Sequence, residues 1–167
     1  LLQAYERLDR ANKVLAIVGD GQLRQEMQNY ASDHNLDSVH FFGFQDRHQI
    51  LKYYSISDVL VLPSDQETWG IVVNEAMCFG LPVIVSDGVG AGRDLVREGY
   101  NGFSFPRGNV AALAETLKHL MDTSPQQRAI MGERSRSLIR DWLQRDLASS
   151  LDQYFDFLCA QNSQGDA

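Results

Sequence analysis

At 167 residues and 44% hydrophobic content, the chain is long enough to enclose one domain-sized core. A formal net charge of -7 argues against a nucleic-acid binder, which needs a basic face. No apolar run approaches the ~18 residues that span a bilayer, and no signal peptide opens the sequence.

The chain begins directly in an amphipathic stretch, Leu1 to Leu8, with no methionine, cap or leading loop. That reads as a piece cut from a longer protein. A continuous apolar run, Val14 to Val18, ends at Gly19-Asp20-Gly21, and a helix is predicted from about Gln22 to Asp33. Val39 to Phe42 is a short strand ended by Gly43, and a helix over about Arg47 to Ile56 follows. Asp58 to Leu62 is a buried strand stopped by Pro63-Ser64.

The next helix carries Glu75, ends at Gly80 and is blocked by Pro82. Val83 to Val85 and Gly102 to Phe105 supply two more strands, with a helical turn near Arg93 to Val96 between them. After Pro106 the chain is helical in three pieces, about Val110–Met121, Pro125–Arg140 and Leu143–Cys159, before a polar, frayed tail over 161–167. Cys78 falls in a helix expected to be buried, and Cys159 is far from it. Free thiols in a reducing compartment are expected, not a disulfide.

Apolar strands separated by amphipathic helices define an α/β fold with a doubly wound, Rossmann-like parallel sheet. Ligands of such sheets bind beyond the carboxyl ends of the strands. Here those ends are Gly19-Asp20-Gly21, Gly43-Phe44, Ser64 to Gly70 and Ser86 to Gly92, all rich in glycine or small polar residues.

The most informative stretch is Ser64 to Val85, which holds Glu67 and Glu75 among mostly apolar neighbours. Glu75 is expected deep in a helix buried on nearly every side, where a carboxylate needs a polar partner. A helix starting near Trp69 or Gly70 aims its free amides at the cleft and favours phosphate. The two carboxylates then lie up to ~12 Å apart along the axis, too far for a retaining glycosidase pair at roughly 5 Å. They suit two contacts on one elongated ligand. The plainer alternative makes Glu67 a favourable acid near a helix start and Glu75 a satisfied core carboxylate.

Gly19-Asp20-Gly21 has two readings, a phosphate or ribose contact and a tight turn, since Arg24 stands where a dinucleotide fingerprint needs its third glycine. The loop Ser86 to Asp94 is likewise either an anion cradle or a plain turn. His34, His40, His48 and His119 do not cluster, which argues against a metal site. No G-x-S-x-G elbow is present. Trp142, Tyr154, Phe155 and Phe157 read as core or interdomain packing.

Glu67-x7-Glu75 with Gly70 inside it, followed by Ala76 to Ile84, resembles the signature of the retaining family 4 (group 1) glycosyltransferases, which have a GT-B fold. Gly19-Asp20-Gly21, Phe42-Gly43-Phe44, Asp58 to Ser64, Asp94-Leu95-Val96 and Asn101 to Pro106 extend the likeness over roughly residues 1–145. The resemblance implies a C-terminal donor-binding domain over 1–160 that works with no cofactor or metal, taking a nucleotide sugar, UDP-linked by preference, as substrate. It implies donor-sugar contact at Glu67 as the catalytic residue, and sugar or phosphate contacts at the amides of Trp69, Gly70 and Ile71. Ribose hydroxyls fall to Glu75 and the base to Gly43 and Phe44, with Gly19, Gly21 and Ser64 lining the donor site.

The family's phosphate-clamping Arg and Lys precede the segment that opens this chain, and neither Arg7 nor Lys13 matches them. The expectation is therefore a piece that folds but does not catalyse without those cations and an N-terminal acceptor domain; sugar transfer by this chain alone would contradict it. Residues 151–159 are expected to present apolar surface to that domain or to another chain. A cytoplasmic location is expected, with peripheral contact at the inner membrane face through the acceptor domain as a variant. Two alternatives stand beside the transferase: a catalytically inactive nucleotide-binding or scaffold module, and a GT-B nucleotide-sugar epimerase, which the Glu67–Glu75 pattern disfavours.

Overall fold

The computed structural model describes residues 1–144. Its elements run α1 (Leu2–Glu6), β1 (Leu15–Val18), α2 (Arg24–Asp33), β2 (Val39–Gly43), α3 (Arg47–Ile56), β3 (Leu60–Leu62), α4 (Ile71–Cys78), β4 (Val83–Ser86), α5 (Gly90–Leu95), β5 (Gly102–Phe105), α6 (Val110–Asp122) and α7 (Pro125–Leu143). Beyond Gln144, the expected last helix to Cys159 and the tail 161–167 lie outside the described residues.

Helix starts follow the capping chemistry of the sequence. Asp46 accepts from the amides of His48 and Gln49 and closes a capping box on α3. Asn109 caps α6 by accepting from the Ala112 amide at 3.0 Å. Ser124 and Gln127 box the start of α7, with Pro125 at its first position.

All ladders are parallel. β1 runs beside β2 with Leu15 opposite Val39, and β3, β4 and β5 follow in that order with Leu60 opposite Val83 and Ile84 opposite Phe103. Side chains alternate between two cores, as strands covered on both faces require. Ile84, Phe103 and Phe105 join Tyr5, Leu113 and Leu117 on one face. Val83 and Val85 join Tyr54, Val73, Met77, Leu95 and Ile139 on the other.

The α/β architecture with parallel strands is as expected, and its ladders fall into two groups. Among the described residues β1 and β3 share no ladder, so the strands form a two-stranded and a three-stranded piece. Side-chain packing joins the pieces, because Leu15 and Ile17 rest on the same core as Val59 and Val61. The second face of β1 is open, with Ala16 exposed.

Cys78 also departs from expectation, being exposed. Helix α4 buries Val73, Asn74, Ala76 and Met77, and position 78 falls on the opposite side of the turn.

Candidate functional site

The chain places its singled-out residues in two groups at the carboxyl ends of the strands. The first follows β1 and β2. The Gly19 amide donates to the Gly43 carbonyl at 2.8 Å, which ties the two loops together. Asp20 accepts from the Gly21 amide and from Arg24 Nη1, each at 2.8 Å. Arg24, in the place of a third glycine, thus ties its guanidinium to the turn, while the space over Gly19 and Gly21 stays open. A side chain at Gly43, whose φ is +68°, would meet that guanidinium at 2.7 Å. Gly43 is buried while Phe44 stands 79% exposed beside it, an unsatisfied aromatic face at the rim.

The second group is built by the loop from Ser64 into α4. Gly70 caps α4 with φ +93°, a left-handed conformation that glycine adopts freely. No side chain caps this end, and the amides of Ile71 and Val72 have no acceptor among the described residues. These are the groups through which a helix start holds an anion. Glu67 packs its Cγ over Gly70.

The backbone of this loop is clamped from the β4–α5 side. Glu67 N–H donates to the Gly88 carbonyl and Gly90 N–H donates to the Glu67 carbonyl, both at 3.0 Å, while Ala91 N–H donates to the Trp69 carbonyl at 2.8 Å. Ser86 Oγ donates to the Ser64 carbonyl, and Arg107 Nη1 donates to the Asp65 carbonyl at 3.0 Å. Of the two readings of the glycine-rich loop, the plain structural one fits, with a definite purpose. The amides of Gly90 and Ala91 are committed to protein carbonyls, and the loop holds Glu67 in place instead of cradling an anion.

Trp69 points its ring away from the helix start. Its Nε1–H donates to Asn74 Oδ1 at 3.0 Å and its indole stacks on Trp142, with centroids 5.2 Å apart. Trp69 therefore offers backbone here, and Trp142 packs within the domain.

Glu75 is half-buried, less enclosed than the burial on nearly every side that was expected. Its polar partner is Tyr54, whose hydroxyl donates to Oε2 at 2.8 Å. Burial first, then that hydrogen bond and the carboxylate's charge, push the Tyr54 phenol well above its ordinary pKa, so it remains a donor. Oε1 has no hydrogen-bond partner among the described residues. Tyr54 escaped the sequence reading because Ile50 and Tyr54, four positions apart, look like any core stripe of a helix.

Among the described residues no three His, Cys, Asp or Glu side chains converge as metal ligands. A cavity of about 710 Å³ lies at the amino end of β3, lined by Arg7, Arg10, Asp58, Lys118, Asp122 and Arg128. That is the end of a parallel sheet away from ligand sites, and three of its charges pair with one another, Arg10 and Lys118 both with Asp122.

The sequence profile described as "Glycosyl transferases group 1" matches residues 1–138. The chain belongs to the group 1 glycosyltransferases. An uncharacterized glycosyltransferase of Haemophilus influenzae is 31% identical over 129 residues, covering 77% of this chain and 36% of that protein. The sulfoquinovosyl transferase of Arabidopsis thaliana is 32% identical over 125 residues, covering 73% and 24%. This group 1 chain spans about a quarter to a third of the length of these curated relatives.

Among solved structures, a sucrose-phosphate synthase from Thermosynechococcus elongatus superposes with a TM-score of 0.74 at 28% identity, over 95% of this chain and 41% of the other. The Anabaena protein HepE, crystallised with UDP and glucose, gives 0.76 at 23% identity over 95% and 43%. At that identity HepE speaks for the fold, and these matches place the group 1 domain among GT-B glycosyltransferases. No helix of the described residues is long and apolar enough to cross a membrane.

Proposed function

We propose that this chain is the nucleotide-sugar-binding domain of a glycosyltransferase. The observation that carries this reading is the pairing of a helix start without a side-chain cap, at Gly70 and Ile71, with a carboxylate at Glu75 that has one oxygen held and one open. A donor diphosphate lies over the amides of Gly70, Ile71 and Val72. Glu75 accepts from the ribose hydroxyls, a charge-assisted arrangement. Glu67 meets hydroxyls of the donor sugar from its clamped loop and is the catalytic candidate. Gly43 and Phe44 border the base, while Gly19, Gly21 and Ser64 line the approach.

The donor class is a UDP-sugar, a choice supported by the UDP and UDP-glucose complexes of HepE, which shares the fold. Within a protein of its relatives' length, the same site serves hexosyl transfer with retention, together with an acceptor-binding domain.

Thermal melting of the chain with UDP, GDP and ADP tests this directly. UDP raises the melting temperature of the wild type, as any ligand selective for the folded state does. Glu75→Ala, which leaves the Tyr54 hydroxyl without its acceptor and so melts lower on its own, loses that response. A UDP shift that survives Glu75→Ala, or no shift with any nucleotide, overturns the reading.

A further inference from the structure

The hydrogen bond between Tyr54 and Glu75 has a geometry that packing alone does not require. Tyr54 sits on α3 and Glu75 on α4, 21 residues apart in sequence. Tyr54 is 5% exposed and its ring lies against Phe79, centroids 5.5 Å apart, inside the core that includes Val73 and Met77. Its position is therefore fixed by the fold before any ligand arrives. Glu75, by contrast, is half-buried and carries several rotatable bonds, whose ordering on binding lowers affinity.

We propose that Tyr54 is a positioning residue that holds Glu75 in its ligand-binding rotamer, one carboxylate oxygen on the phenol and the other left free for a vicinal diol. The asymmetry supports this. Oε2 is taken at 2.8 Å, whereas Oε1 has no partner among the described residues. Since burial and the carboxylate keep the phenol protonated, the donor is present across the working pH range. The inference rests on the reading of Glu75 as the ribose contact.

The experiment measures dissociation constants of the chain for UDP and for 2′,3′-dideoxyuridine diphosphate, which lacks the diol. Tyr54→Phe retains the ring and removes only the donor. It is expected to weaken UDP binding roughly two- to tenfold, the range for one side chain no longer pre-ordered. Binding of the dideoxy nucleotide is unchanged, and Tyr54→Phe adds nothing in a Glu75→Ala background. A merely structural role weakens both nucleotides alike and persists in that background, which overturns the proposal.

Undiminished UDP affinity in Tyr54→Phe, with affinity lost in Glu75→Ala, also overturns it and leaves the ribose reading intact. Undiminished affinity in Glu75→Ala removes the ribose reading itself. Tyr54→Met, a second side chain without the donor, carries the same comparison if the Phe variant melts below the assay temperature.

Discussion

Gly70 is the residue on which the site's backbone turns. Its φ of +93° is costly for any L residue, by roughly 1–2 kcal/mol. A methyl there would lie 3.0 Å from Leu62 Cδ2 and 3.1 Å from Val89 Cγ1. Gly70→Ala is accordingly expected to lower the unfolding free energy by about 1–3 kcal/mol, read from urea titration. A urea midpoint equal to that of the wild type contradicts this. Glu67 and Glu75 stand out in the sequence as candidates because two carboxylates in apolar company demand partners, and for Glu75 the structure supplies one. That partner does not itself stand out. Tyr54 is a helical core position in pattern, and only the packing of α3 beside α4 turns its hydroxyl toward Glu75. Asn74 was hidden similarly: one position from Glu75, it anchors Trp69 and so decides which part of that residue a ligand can reach.

At the scale of elements, two strand-to-helix loops behave as one unit. The segment joining β3 to α4 and the segment joining β4 to α5 exchange hydrogen bonds as a short parallel bridge, Glu67 beside Val89. Close approach requires glycine in the second loop. A Cβ on Gly90 would fall 2.1 Å from the Thr68 carbonyl oxygen, and one on Gly88 would fall 2.4 Å from that of Asp65. Neither distance is tolerable, so the loops must part if either residue gains a side chain. Gly90→Ala should therefore destabilise by about 1–3 kcal/mol and speed amide exchange at Glu67 and Ala91, with Leu15 to Val18 unaffected. Equal protection of Glu67 and Ala91 in both proteins would count against the clamp.

From sequence the glycine density of Ser86 to Gly92 showed that something comes close. The partner proved to be backbone from the preceding crossover, a contact no local pattern encodes. Strands and helices were legible from apolar runs, proline and glycine stops and the Ser124-Pro125 start. The split between β1 and β3 was not, because inter-strand pairing depends on how helices seat the strands, and an apolar run looks the same beside a neighbour or an open edge.

For the molecule as a whole, ionisable groups that stitch separate elements together set a window of stability. Glu6 accepts from Tyr30 Oη at 2.6 Å and contacts His34 Nδ1 at 2.9 Å, joining α1 to α2. The Tyr30 bond foremost, then the His34 bond, holds its carboxyl pKa below the ordinary 4.5. The contribution is present above about pH 4.5 and is lost as pH falls through the lowered folded value. Asp122 is lowered by Lys118 foremost and also by Arg10, so its contribution fades below about pH 3.8 in the same sense. On the alkaline side the phenols of Tyr5 and Tyr54, chiefly through burial, and of Tyr30, chiefly through its bond to Glu6, are raised above 10.0. A raised phenol favours the fold while it stays protonated. That stability is complete below about pH 10 and disappears as pH climbs through the raised folded values. Lys13 opposes this in part, since burial lowers its pKa and folding is relieved of that penalty as it deprotonates toward pH 10.5. The expected urea midpoint falls below about pH 4.5 and again above about pH 10. Glu6→Gln lowers the midpoint between those limits and flattens the acid flank, whereas Tyr54→Phe flattens only the alkaline one. If the acid flank of Glu6→Gln matches that of the wild type, the carboxylate stitch between α1 and α2 is not what acid removes.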